Sequence, residues 1–179
     1  MRISVVLFVC FAVISLAFFA CGGNKSTQNE PDPELENRIK EEILNANRNF
    51  VERESEQIKS YERRHNLEMK QTGTGLRYII SGDSLKKRVA SGMKATIAYD
   101  LSLLDGTLCY SVDSKKPRTV TVDHDDLISG LHEGLKLMHL GQDAVFIIPS
   151  HLAYGLTGDN NKVPPGSALV CNLYLIDLK

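Results

Sequence analysis

Hydrophobic and polar positions change their rhythm several times along the chain, and each change marks a different kind of segment. An unbroken apolar run extends from Ile3 to Ala20, preceded by Arg2, and stops at Ala20-Cys21-Gly22. Residues 22–33, GGNKSTQNEPDP, then carry no large apolar side chain, the composition of a flexible spacer. From there Leu35, Ile39, Ile43, Ala46 and Phe50 recur at three- and four-residue steps, the period of a helix. Pro33 followed by Glu34 suits a helix start, since proline needs no donor there and an acid complements the helix dipole. Beyond Phe50 the stripe thins to Val51, Ile58, Tyr61 and Leu67, interrupted by Arg53 and Gln57, so no coiled coil is sustained.

After Gln71 the period drops to two. GLRYIIS, KATIAYDLSLL, TLCYS, RTVTV, DAVFIIP and ALVCNLYLIDL are short runs rich in β-branched and aromatic residues, and each predicts a strand. Asp105-Gly106 between two of them is a turn signal. One helical stretch interrupts them, HDDLISGLHEGLKLMHLG, with Leu127, Leu131, Leu135 and Met138 on one face and Asp125 and Asp126 near its start. Gly130 and Gly134 share a helix face, where another backbone can approach closely. The fold class is therefore α+β: an antiparallel sheet of about five strands wrapped on one helix, preceded by an N-terminal helix. The domain reading is residues 1–20 as a leader, 21–33 as a linker, 34–70 as a helical segment and 71–179 as the folded domain.

Composition narrows function by exclusion. With 179 residues and a net charge of −1, the chain has no electrostatic grip for nucleic acid. GxSxG, HExxH and phosphate-binding glycine loops are all missing. His132 and His139 lie seven apart on the helix and could face one way, but a metal role would need carboxylates beside them. They read as a polar or partly buried helix face, while DHDD at 123–126 reads as a solvated acidic segment. Cys10 lies in the leader and Cys21 at its end, which leaves Cys109 and Cys171 in the folded part. In an oxidising compartment those two either bond or stay as free core thiols. The apolar run is long enough to span a bilayer as an uncleaved anchor. Its termination at Cys21, however, resembles a bacterial lipoprotein processing site, at which the leader is removed and the cysteine acylated.

LISGLHEGLKLM, IIPSHLAYGLTG and VPPGSALV, in that order, resemble the FK506-binding-protein family of peptidyl-prolyl isomerases, as do GTGLRYII and IAYDLSLLDG ahead of them. The resemblance covers residues 71–179. RRHNLEMKQTGTGLRY and LDGTLCYS are similar to envelope lipoproteins of Bacteroidetes, including gliding-motility lipoproteins. The resemblance implies an isomerase that twists X-Pro bonds of polypeptides in an apolar pocket, without cofactor or metal. On it, Tyr154, Ile128 and Tyr99 are the catalytic set, with the Tyr154 hydroxyl and the Ile128 N–H as donors to the substrate. Leu127, Leu131, Cys109, Tyr110, Val163 and Cys171 are the substrate-binding set.

The chain departs from the family pattern at several of these positions. Cys109-Tyr110 replaces Phe-Asp, Leu131 a tryptophan, Arg118 an aromatic wall and Cys171 a strand aromatic, and Asp159 and Lys162 add charge to the loop tip. Three functions follow as expectations. The first is an isomerase for exported or envelope proteins, lipid-anchored through Cys21 at the periplasmic face of the outer membrane. The second is a non-catalytic peptide-binding or chaperone module. The third is a structural envelope component whose helix 34–70 packs on a second copy or another protein.

Overall fold

The computed structural model describes residues 32–179. The expected leader (1–20), the acylation position Cys21 and all but the last two residues of the linker (21–33) lie outside that range. The first element is a long helix, α1, Pro33–Arg64. Asp32 caps it, its Oδ1 accepting the Glu34 N–H at 3.0 Å, and Pro33 takes the first helical position as the sequence predicts. The helix stops at Arg64 instead of filling the helical segment to residue 70, because Asn66 adopts a left-handed φ of 52° and turns the chain toward the sheet.

Seven antiparallel strands follow: β1 (Lys70–Gln71), β2 (Arg77–Ser81), β3 (Lys94–Leu103), β4 (Leu108–Val112), β5 (Arg118–Thr121), β6 (Asp143–Ile148) and β7 (Leu169–Leu178). A short helix, α2, spans Ser129–Leu137 between β5 and β6. The sheet order is β1-β2-β6-β7-β3-β4, and β5 continues along the same edge of β3 as β4. All six predicted runs form strands. The additional strand, β1, is two residues long and exists by pairing with Arg77 and Tyr78 of β2, so it has no period of its own to read.

Alternation along β6 separates the two faces of the sheet. Phe146 and Ile148 belong to the main core with Leu131 and Leu135 of α2, Met138, and Tyr99, Leu101, Cys171 and Leu173 of the sheet. The close helix approach expected at the two glycines is present. A Cβ on Gly134 would lie 2.8 Å from Phe146 Cζ, and one on Gly130 would strike Ile148 Cγ2. The acids Asp125 and Asp126 precede α2 instead of starting it, and Asp125 Oδ2 accepts the Thr121 N–H at 2.8 Å.

The opposite face of the sheet meets the C-terminal half of α1. Ile58 is buried there with Ile147, Ala168 and Val170. Two buried polar side chains fasten this contact. Glu54 accepts the Ser150 N–H at 2.7 Å, and Arg77 of β2 pairs with Glu62 and reaches Ser55. The cleaner apolar stripe at the other end, Leu35, Ile39 and Ile43, is about half exposed.

Candidate functional site

Two segments bring the candidate residues together. One is the turn into α2, where Ile128 has extended backbone (φ −59°, ψ 142°) and its carbonyl accepts the Leu131 N–H at 3.0 Å. The Ile128 N–H itself makes no hydrogen bond among the described residues. The other is the loop from Pro149 to Gly166, which begins with a 3-10 turn, Ser150–Leu152, and carries Tyr154. Ser129 Oγ donates to the Leu152 carbonyl at 3.1 Å, which ties the start of α2 to the segment just before Tyr154.

The loop is internally braced. Asp159 Oδ1 accepts the N–H groups of Asn161, Lys162 and Val163 at 2.8–2.9 Å, and the Asp159 N–H donates to the Val163 carbonyl at 3.2 Å. Gly158 makes this turn possible. Its φ is +70°, and a Cβ there would strike the Val163 carbonyl oxygen. The second carboxylate oxygen of Asp159 accepts a hydrogen bond from the Tyr110 hydroxyl of β4. The Tyr110 ring lies 6.4 Å from that of Tyr154, centroid to centroid, and Lys162 Nζ sits 5.2 Å from the Tyr110 centroid.

Electrostatics follow from this packing. The Tyr110 hydroxyl and three loop amides hold the Asp159 carboxyl down to about 2, and the carboxylate in turn pushes the Tyr110 phenol up to about 12. Burial, then the Asp159 charge, raises Tyr154 above the ordinary tyrosine value. Both phenols are therefore protonated donors at neutral pH. The Tyr110 donor is occupied by Asp159, whereas the hydroxyls of Tyr99 and Tyr154 make no hydrogen bond among the described residues.

The predicted site residues divide into two layers. Leu127, Ile128, Tyr110 and Tyr154 are half-buried and pack against the edge of the core, so they present surface to a ligand. Tyr99 retains 8% exposure in β3. Leu131 and Cys171, by contrast, have no accessible surface, and Cys109 and Val163 have almost none. These four side chains therefore offer a ligand little or no surface in this structure.

Cys109 and Cys171 are both free. Cys171 lies opposite Leu101 on one side of β3, and Cys109 lies at the register shift beside Leu101 on the other. Two strand spacings, about 10 Å, separate them, beyond the roughly 7 Å limit for a disulfide. Of the two expectations, a bond or free core thiols, the structure has the second, with Leu101 as the neighbour the two share. Burial raises both thiols above the ordinary cysteine value. Arg118, aligned with an aromatic wall, is exposed and donates to the Asp126 carbonyl at 3.0 Å. His132 is a core fastener: its Nδ1 accepts the Asp123 N–H at 3.0 Å, and its Nε2 faces the Asp125 carbonyl at 3.1 Å.

Sequence reasoning noted the charge of Asp159 but not its role, because its partner Tyr110 lies 49 residues away. An open concavity of about 520 Å³ lies over outward residues of the sheet including Ile79, Ala98, Asp100, Val145, Asn172 and Tyr174, and also touches Tyr99. It is mostly strand surface, joined by Asp113 and Ser114 of the turn after β4, whereas the site at α2 and the loop gathers the free Ile128 N–H and Tyr154 hydroxyl and is the better candidate.

Comparison with known proteins bears on the family and the fold. Residues 86–176 match the FKBP-type peptidyl-prolyl cis-trans isomerase family profile. The chain is 34% identical over 112 residues to a probable FKBP-type peptidyl-prolyl cis-trans isomerase, FkpA, of Neisseria meningitidis, covering 62% of this chain but only 40% of that protein. It is 26% identical over 171 residues to the macrophage infectivity potentiator of Trypanosoma cruzi, covering 96% of this chain and 83% of that one. The crystal structure of FkpA from Escherichia coli superposes with a TM-score of 0.63 at 26% identity, over 82% of this chain and 68% of that one. Fold and matched profile lead to one assignment: the chain belongs to the FKBP-type peptidyl-prolyl cis-trans isomerase family.

Proposed function

We propose that this protein accelerates cis–trans isomerisation of X-Pro bonds in exported or envelope polypeptides while tethered to the bacterial envelope through a lipid on Cys21. The physical problem is a barrier of roughly 18–20 kcal/mol, set by amide resonance. The twisted amide has lost resonance and carries less charge on its carbonyl oxygen. A half-buried apolar surface therefore disfavours the planar ground state relative to the twisted one. Leu127, Ile128, Tyr110 and Tyr154, all half-buried against the main core, supply that surface.

The single observation that carries this reading is the set of uncommitted donors around it. The Ile128 N–H and the Tyr154 and Tyr99 hydroxyls have no partner among the described residues, and they border one apolar patch. They fix an extended peptide by its carbonyls while its proline ring rests on the patch. Turnover needs no nucleophile. A protease-coupled isomerisation assay on residues 22–179 tests the reading, and acceleration over the uncatalysed rate is expected. Binding of proline-containing peptides without acceleration supports the second reading, a peptide-binding module. The closed core beneath the site, with Leu131 and Cys171 fully buried, is the observation that favours it.

A further inference from the structure

The Pro149–Gly166 loop carries Tyr154, and two neighbouring side chains of β4 reach its tip. The Cys109 thiol makes a long contact of 3.6 Å to the Lys162 carbonyl, and the Tyr110 hydroxyl donates to the Asp159 carboxylate, the stronger, charge-assisted tie. We propose that Tyr110 and Asp159 act as one positioning unit that holds the loop tip over the apolar patch and so sets where Tyr154 stands relative to a bound peptide. This assignment rests on the isomerase reading and deepens it. It makes Asp159 a functional residue and gives Tyr110 a role beyond its place in the substrate-binding set.

Three features carry it. Asp159 uses both carboxylate oxygens, one on three consecutive loop amides and the other on Tyr110, so a single side chain shapes the turn and anchors it to a different element. Val163, which closes the turn, is buried in the main core, so the loop has a fixed inner end and a tip held by the carboxylate. The Tyr110 ring also packs beside the Tyr154 ring, and Lys162 from the same turn lies over it, so its orientation is felt directly at the proposed donor. A charge-assisted hydrogen bond is stronger than a neutral one, which suits a contact that must restrain a loop.

Neither residue donates to the peptide in this scheme, so both act through Tyr154. Loss of the anchor should leave apolar binding in place while misplacing the donor. The cost then falls on the catalytic constant more than on the Michaelis constant.

The test uses the full-length chain with Tyr110→Phe, Asp159→Ala, Asp159→Asn and the Tyr110→Phe/Asp159→Ala double variant. Turnover of a proline-containing peptide and amide hydrogen exchange at Asn161, Lys162 and Val163 are measured in each. Tyr110→Phe, which removes only a hydroxyl, is expected to lower kcat several-fold with KM nearly unchanged and to speed exchange at those amides. The double variant should be no worse than Asp159→Ala alone, since one unit is lost only once. Asp159→Asn should recover part of the Asp159→Ala loss, because its amide oxygen still accepts the loop N–H groups. Additive losses, or a Tyr110→Phe chain with unaltered kcat and unaltered exchange, would overturn the assignment. If the unsubstituted chain shows no turnover, the isomerase reading fails separately. The exchange pattern together with the affinity for the same peptide then decides the anchor, and unchanged values in Tyr110→Phe reject it.

Discussion

At the scale of single residues, the site depends on a few polar atoms whose partners are known. Tyr154 has a free hydroxyl beside a raised pKa, so its deletion removes a donor and nothing else. Tyr154→Phe should slow isomerisation several-fold, consistent with a hydrogen bond worth about 0.5–1.5 kcal/mol. An unchanged urea midpoint would separate this effect from unfolding. Asp159 and Tyr110 give a pH prediction whose sign is definite. The Asp159 pKa is depressed from 3.8 to about 2, so its stabilisation is complete above its ordinary value and is lost as pH falls through about 2. The Tyr110 pKa is raised from 10 to about 12, so its share is complete below 10 and is lost as pH rises through about 12. Loop amide protection should therefore stay level between about pH 4 and 10 and fall outside that window. The Asp159 carboxyl carbon should titrate near 2 by NMR, and Tyr110→Phe should move its midpoint upward toward the usual aspartate range.

At the scale of elements, packing tolerances become the testable quantity. α2 lies so close to β6 that Gly134 has no room for a methyl group: its Cβ would sit 2.8–3.1 Å from three atoms of the Phe146 ring, and that ring is fully buried. Gly134→Ala should destabilise the fold by about 1–3 kcal/mol, read as a lower denaturant midpoint with an unchanged slope. This approach was legible in the sequence, since two glycines four apart on a leucine-striped helix leave a shallow groove that a neighbouring element fills. Strands β2 to β7 were legible for the same kind of reason, alternating β-branched runs between turn residues. The docking of α1 was not. The clean stripe Leu35–Ile43 stays half exposed, while the thinner half near Ile58 is fastened by Glu54, Glu62 and Arg77. Charged residues read as solvated in a sequence, and only a partner far along the chain reveals that they are buried. The site shows the same division. Tyr99, Ile128 and Tyr154 are candidates that the resemblance offers by order and spacing, whereas the complete burial of Leu131 and Cys171 depends on how helix and sheet pack, which no local pattern carries.

At the scale of the whole molecule, two expectations remain to be measured. The thiols of Cys109 and Cys171 are buried and about two strands apart, so the fold does not depend on an oxidant. A thiol reductant should leave the unfolding midpoint unaltered, and a drop on reduction would mean that they had bonded. No described helix is long and apolar enough to cross a membrane. The tether proposed at Cys21 is tested by fatty-acid labelling, which should disappear in Cys21→Ser and would otherwise exclude that anchor.

The contacts of α1 with the loop have a practical bearing on how such a protein is dissected. Glu54 holds Ser150 at the start of the loop, and the Phe50 ring abuts Gly166 at its end. A chain trimmed to begin at Gln71 keeps β2 to β7 and all three catalytic candidates, but it loses both clamps and Lys70 of β1. Its loop is then free to breathe at its base, so assays on such a minimal domain should understate the rate of the longer protein even at equal secondary-structure content. The usual inference from a weak isolated domain, that its pocket has decayed, would in this molecule charge to the pocket a deficit that belongs to the missing helix.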